Sequence, residues 1–251
     1  MDKNPVISTV GTQELPPIMA GKEKAMTNRE LILGRIREAL KNVAPPPIFR
    51  EPAAQSSPLP LPAQSCLPPV GETLEQQIEL FRRNLEELKV EFQICAGPRE
   101  AVQHVKNLAR DGGWKKIGRH SGELTDAIAP GLGLAEVKTD NGYTLNDLES
   151  CDAALTECEA LVAQTGSVLV SAPGAGGRAL SILPPHHVVL ARQNQMVPDL
   201  GAALHRMQEK FKNHFPSFLS FISGPSRTGD IERILVLGAH GPKKLTILLL
   251  P

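Results

Sequence analysis

The order of apolar segments predicts an α/β domain built on a mixed, mainly parallel sheet with flanking helices, preceded by a helical N-terminal arm. Three observations carry that expectation. A strand, a helix and a strand follow one another at "VEFQICA", "PREAVQHVKNLARDGG" and "KKIGRH", the order that pairs strands in parallel through a crossover helix. The segments "FLSFIS" and "KLTILLL" are rich enough in Leu and Ile to suit strands buried on both faces. Nine prolines fall in the 25 residues from Pro45 to Pro69. Such a stretch can neither propagate a helix nor join a sheet, so it separates what precedes it from the main body.

Taken in order, residues 1–25 lack periodicity and read as a disordered extension. Thr27 with Glu30 fits a capping box, and Leu31, Ile32, Ile36 and Leu40 recur at helical spacing. Residues 26–44 are therefore expected to hold an amphipathic helix, and residues 45–70 a linker. The body, residues 71–251, opens on a second capping box from Thr73 to Gln76. Leu74, Ile78, Phe81, Leu85 and Leu88 then trace one helical stripe. Pro98 suits the first turn of the next helix and Gly112 its end. "LAEVKT" adds a short strand. "CEALVAQTGSVLVSA" consists of two apolar runs joined by Gln164, Thr165 and Gly166, a hairpin rather than a crossover. "HHVVLA" is a strand, and a helix is expected from about Pro198 to Phe211 with Leu200, Ala203, Leu204 and Met207 on one face.

Composition narrows the function classes. Lys+Arg and Asp+Glu balance at 27 each, and aromatics make up 4% of the chain. Neither an anionic surface partner nor a base-stacking platform is advertised, so no nucleic acid is expected. Mean hydropathy is −0.14, and no stretch approaches the roughly 20 apolar residues of a membrane span. The N-terminus has no apolar secretory core, so a cytoplasmic location is expected. Cys66, Cys95, Cys151 and Cys158 are too few and too dispersed for a disulfide framework. They also lack the spacing of a zinc or iron–sulfur site, so no metal is expected in this chain.

The chemistry concentrates in loops. Ser226, Arg227, Thr228 and Asp230 follow a strand and Gly224. Ser226 or Thr228 could cap a helical turn at "TGDIERI", leaving backbone N–H groups and the Arg227 fork for an anion. A plain helix cap, with Arg227 in solvent, explains the same residues less fully. His240, between Gly238 and Gly241, could move a proton near neutral pH or could merely brace its turn. Thr165, Gly166 and Ser167 form either an anion-binding nest or ordinary turn chemistry. Arg178 sits in a Gly-rich loop that lacks Walker A spacing and so is no nucleotide loop, but it could still face a ligand. His186 and His187, adjacent on a strand, must point to opposite faces and cannot share a metal. No GxSxG elbow supports a Ser-His-Asp hydrolase.

The stretches "ALVAQTGSVLV", "RALSILPPHHVVL" and "GPSRTGDIERILVLGAHGPKKLTILLL" resemble the LUD-domain family, in its lactate-utilisation protein C (YkgG-like) branch, from about Gly71 to Pro251. Gly229 departs from the Ala usual there. The resemblance implies a NagB/RpiA/CoA-transferase-like fold and a place in a three-protein system oxidising L-lactate to pyruvate. It further implies sister proteins, one an iron–sulfur LUD-type protein and one cysteine-rich, that hold the clusters this chain lacks. The implied ligand is a small anionic metabolite, lactate or a phosphorylated compound. Thr165, Gly166, Ser167, Arg178, Gly224, Ser226, Arg227 and Thr228 are the candidate binding residues, with His240 and Asp230 as candidate catalytic groups. They are chosen by residue chemistry on the family's motifs. Two other readings stay open: an independent transferase or isomerase of the same fold group, and a scaffold that docks partners through the helix at 26–44.

Overall fold

The computed structural model describes residues 28–41, 68–173, 176–212, 214–231, 234–238 and 240–251, with the backbone alone at 39, 40, 228–231 and 234–237. The chain divides into two units, residues 1–60 and 61–251. In the first lies helix α1, Asn28–Lys41, inside the expected 26–44 span and with Leu31, Ile32 and Ile36 exposed. The expected extension at 1–25 and all but the last three residues of the 45–70 linker lie outside the described residues.

In the second unit, helix α2 (Leu74–Glu87) starts at the expected box. The Thr73 hydroxyl accepts from the Gln76 N–H, and the Gln76 amide accepts from the Thr73 N–H. Strand β1 (Glu91–Ile94), helix α3 (Pro98–Gly112) and strand β2 (Lys116–Arg119) follow. Next come helix α4 (Glu123–Ile128), strand β3 (Ala135–Lys138), helix α5 (Leu145–Glu149) and strand β4 (Ala153–Glu157). Strands β5 (Ala160–Val162), β6 (Ser167–Ser171), β7 (His186–Arg192) and β8 (Met196–Val197) lead to helix α6 (Leu200–Phe211). Strands β9 (Leu219–Ile222), β10 (Arg227–Ile231), β11 (Ile234–Leu237) and β12 (Lys244–Leu250) complete the chain.

The larger sheet is wholly parallel, and antiparallel pairing is left to the smaller sheet and the β10–β11 hairpin. Six strands in the order β1-β12-β7-β4-β2-β3 pair in parallel throughout. A smaller mixed sheet, β8-β5-β6-β9, contains the β5–β6 hairpin that the sequence announced. Layering explains the apolar strands. Val188, Leu190, Leu248 and Leu250 meet α3 and α4 on one face of the large sheet. Val189, Ala191, Ile247 and Leu249 meet α2 and the small sheet on the other. The small sheet alternates in turn: Leu161, Val168 and Val170 face the large sheet, while Ala160, Val162 and Leu169 face Ala203 and Met207 of α6. Strands with a layer on each side have no solvent face, hence no polar alternation.

Three expectations are corrected. The helical turn expected at "TGDIERI" is strand β10, hairpinned to β11 with Thr228 opposite Val236; the apolar run Ile234–Leu237 offers a ladder that a short turn cannot match. β9 is half-buried rather than enclosed, because it forms an edge of the small sheet. Helix α6 begins at Leu200, since the Asp199 carboxylate accepts from the Ala202 N–H at 2.8 Å and fixes the start there. Strand β4 escaped the sequence reading altogether.

Candidate functional site

Two loops knit together beyond the end of β9. Gly224 takes φ 98°, and a Cβ there would lie 3.4 Å from the Leu88 Cβ, so the chain turns tightly against α2's C-terminal end. The Ser226 N–H then donates to the Pro242 carbonyl (2.9 Å), and the Gly238 N–H donates to the Ser226 carbonyl (3.0 Å). The His240 N–H reaches the Ser226 hydroxyl at 3.4 Å. These bonds hold the β9–β10 and β11–β12 loops side by side around a cavity of about 310 Å³. Ser181, Ser220, Ser223, Ser226 and His240 supply its polar lining, and Phe218 and Ile222 its apolar wall.

Of the residues expected at a site, Gly224, Ser226 and His240 converge there. The Thr165, Gly166 and Ser167 turn is not part of the lining, although it is connected to it. The Thr165 and Ser167 hydroxyls share a hydrogen bond of 2.7 Å, and Ser167 continues to the Ser223 hydroxyl at 2.6 Å. Asn84 of α2 fastens the same turn through the Ala163 and Gln164 carbonyls. Arg178 donates to the Ser217 carbonyl at 2.9 Å and rests 5.6 Å from the centre of the Phe218 ring. It thus borders the cavity wall without entering. Arg227 is exposed and donates to the Leu88 carbonyl. With β10 a strand, the free helix N-terminus expected beside Arg227 does not exist. The side chains of Thr228 and Asp230 lie outside the described residues. Ser181, Ser220 and Ser223 are the lining groups that sequence reasoning missed. Ser181 stands 45 positions from Ser226 in a loop whose path no local spacing reveals.

The adjacent histidines do point to opposite faces, and both are buried. His187, on the face toward the small sheet, is fully enclosed; its Nε2 meets the Thr156 hydroxyl at 2.8 Å while Nδ1 has no partner among the described residues. Burial first, then the neighbouring His186, pushes its pKa from 6.5 to about 3. His186 meets the Thr246 hydroxyl at 2.8 Å and the Trp114 ring edge-on at 5.0 Å. Burial, then Lys244 and against the pull of Glu91, lowers it from 6.5 to about 4. Cys95, Cys151 and Cys158 are buried free thiols. Burial pushes Cys95 up to about 11, with Glu100 adding to the rise, and raises the other two. Such thiols are poor nucleophiles and poor ligands. Among the described residues, no group of three His, Cys, Asp or Glu side chains could hold a metal ion.

A parallel six-stranded sheet, a smaller mixed sheet against one of its faces and a hydroxyl-lined cavity at the loop junction define the architecture, that of an α/β protein. The chain belongs to the LUD domain family, whose profile matches residues 78–250. It is similar to the lactate utilization protein C of Anoxybacillus flavithermus, 36% identical over 102 residues that make up 41% of this chain and 45% of that one. The namesake of Deinococcus radiodurans is 31% identical over 118 residues, 47% and 55% of the two chains. That of Bacillus subtilis is 28% identical over 145 residues, 57% and 60%. The chain thus spans about half the length of the curated relatives it matches. Its fold is shared with the crystal structure of a DUF162 family protein from Deinococcus radiodurans. The TM-score is 0.57 at 19% identity, covering 72% of this chain and 100% of that one.

Proposed function

We propose that this chain is the cluster-free member of a three-component cytoplasmic system oxidising L-lactate to pyruvate, and that the Ser226–His240 cavity receives its small anionic ligand. The observation that carries this reading is the convergence of Ser181, Ser223, Ser226 and His240 on one cavity in a family member whose relatives bear the name lactate utilization protein C. Hydroxyl groups can donate to carboxylate oxygens, and His240 can accept the proton of a substrate hydroxyl. Arg178, held against Phe218 at the wall, adds positive potential without a direct contact. Oxidation of lactate to pyruvate releases two electrons and two protons. The electrons would pass to clusters in an iron–sulfur LUD-type protein and a cysteine-rich protein, the two partners in this reading. Among the described residues no helix is long and apolar enough to cross a membrane.

Calorimetric titration with L-lactate tests the site directly. Saturable binding is expected for the native chain, weakened at least tenfold by Ser226→Ala and by His240→Ala. Equal affinity in all three proteins would refute the assignment. Reconstitution with the two sister proteins tests the system: lactate-dependent reduction of their clusters should require this chain, and turnover without it would remove the proposal.

A further inference from the structure

A second cavity, about 300 Å³, opens at the amino-terminal edge of the large parallel sheet. Glu91, His186 and Lys244 are the first residues of β1, β7 and β12 and all three line it, with Trp114 and Lys243 beside them. None of these residues lines the Ser226–His240 cavity.

The 2.8 Å contact of His186 Nε2 with the Thr246 hydroxyl runs in either direction, according to the imidazole tautomer. The Thr246 hydroxyl donates its single proton to Glu91 Oε2 at 3.3 Å, so its oxygen accepts at the 2.8 Å contact with His186. With the hydroxyl proton on Glu91, the imidazole Nε2 carries its own proton and Nδ1 keeps a lone pair, the tautomer on which the inference below rests. Glu91 is itself anchored, its Oε1 accepting from His104 Nε2 at 2.8 Å. His186 is 7% exposed, and among the described residues Nδ1 has no protein partner. Unlike His187 Nδ1, it is not fully enclosed. His186 lines the cavity, and Nδ1 is the ring nitrogen that the Thr246 contact leaves over. The lowered pKa of His186 keeps that nitrogen unprotonated at neutral pH.

Charge in the same cavity is uneven. Asp111 accepts from Arg110 at 3.0 Å, and Asp152 accepts from the Lys115 and Lys116 N–H groups at 2.7 and 3.0 Å. Together with Glu91, every carboxylate lining the cavity is engaged. Lys243 and Lys244 are exposed, and among the described residues neither ammonium lies within ion-pair distance of a carboxylate. The three carboxylates keep their charge but already have partners, whereas two ammonium groups outside any ion pair, one ring nitrogen and an indole wall are open to a visitor.

We propose that this cavity binds a small anion carrying a hydroxyl near its charge, a hydroxycarboxylate or a hydroxyalkyl phosphate. Lys243 and Lys244 meet the anionic oxygens, and His186 Nδ1 accepts from the hydroxyl. Trp114 closes one side. The volume sits at the lower end of small-molecule sites.

Trp114 is the only tryptophan in the chain, so its emission reports on this cavity. The full chain is titrated with citrate and with glycerol 3-phosphate, each beside an analogue lacking the hydroxyl, tricarballylate and propyl phosphate. A saturable change with citrate or glycerol 3-phosphate is expected, with the matching analogue about tenfold weaker. Which of the two responds identifies the anion. The double variant Lys243→Ala/Lys244→Ala, at two exposed positions, should lose at least tenfold in affinity, while Ser226→Ala/His240→Ala should leave the titration unchanged. The proposal is overturned by no saturable response to either compound, by equal affinity for the analogue, or by indifference to the lysine replacements. A response abolished by Ser226→Ala/His240→Ala would move the binding to the other cavity and overturn it equally.

Discussion

Lowering the pH from 7 to 5 should cost this fold several kcal/mol through two residues alone. His186 and His187 are held neutral by burial, with pKa values down from 6.5 to about 4 and about 3. In the unfolded chain both imidazoles titrate near the ordinary value of about 6.5. A base whose folded pKa is depressed contributes stability that is complete above the unfolded value. That contribution drains away as pH falls through 6.5 toward the folded value, because the unfolded state takes up protons that the native state refuses. At pH 5 the unfolded imidazoles are almost wholly protonated and the folded ones almost wholly neutral. Each site then costs about 2 kcal/mol relative to pH 7, close to 4 kcal/mol for the pair. For an m-value of roughly 2.5 kcal/mol/M, the urea midpoint should fall by about 1.5 M between the two pH values.

The assay compares that fall in the native chain with His186→Gln, His187→Gln and the double variant. Glutamine keeps a hydrogen-bonding amide toward Thr246 or Thr156 but does not titrate. Each single variant should lose about half of the pH-dependent fall, whatever its absolute stability, and the double variant nearly all that these two sites supply. The window isolates histidine, since carboxylates are mostly ionised on both sides of it. If the double variant shows the same fall as the native chain, the two imidazoles titrate normally and their enclosure has been misread.

Four further outcomes follow from buried charge and backbone geometry. Glu159 is 3% exposed and bonds both the Ser171 hydroxyl and the Lys210 ammonium at 2.5 Å. Lys210→Met should therefore cost about 2–3 kcal/mol in urea unfolding and Glu159→Gln only about 1, and the reverse order would contradict a stranded carboxylate. Arg119 is 2% exposed between Asp126 at 2.5 Å and Glu136 at 2.7 Å, so Arg119→Met should lower stability by about 2–4 kcal/mol. The hydrogen bond from Arg119 holds the Asp126 carboxyl below its usual range. That group's stabilisation is present above about pH 3.9 and lost as pH falls through its folded value, so Arg119→Met should flatten the acid limb of the stability profile. Gly166 has φ 63°, and a Cβ there would lie 2.9 Å from the Asn84 Cβ, whereas Gly133 has φ 71° with open space around it. Gly133→Ala should cost about 1 kcal/mol of backbone strain, and Gly166→Ala measurably more by thermal unfolding, because it also pushes the hairpin turn off α2.

What the sequence could and could not reveal follows from the range of each interaction. The capping box at Thr73, the hairpin around Gly166 and the strands at 186–192 and 244–250 are written in neighbouring residues, and all were legible. β4 was not, because "AALTE" is short and derives its burial from β2 and β7, partners more than 30 residues away. β10 misled because Thr, Gly and Asp favour turns locally, while pairing with Ile234–Leu237 outweighs that preference. The candidate site divides along the same line. Glycine-flanked Ser226 and His240 stood out, yet Ser181 comes to them only through loops folded over the junction between two sheets. Arg178 and Arg227 looked like ligand forks but spend donors on the Ser217 and Leu88 carbonyls. A guanidinium with five donors rarely leaves a nearby backbone carbonyl unused, and no residue pattern records where such a carbonyl will lie. The lysines at 243 and 244 show the converse: ordinary as a dipeptide, they gain meaning only because parallel pairing sets Lys244 beside His186, a juxtaposition that depends on register rather than on composition.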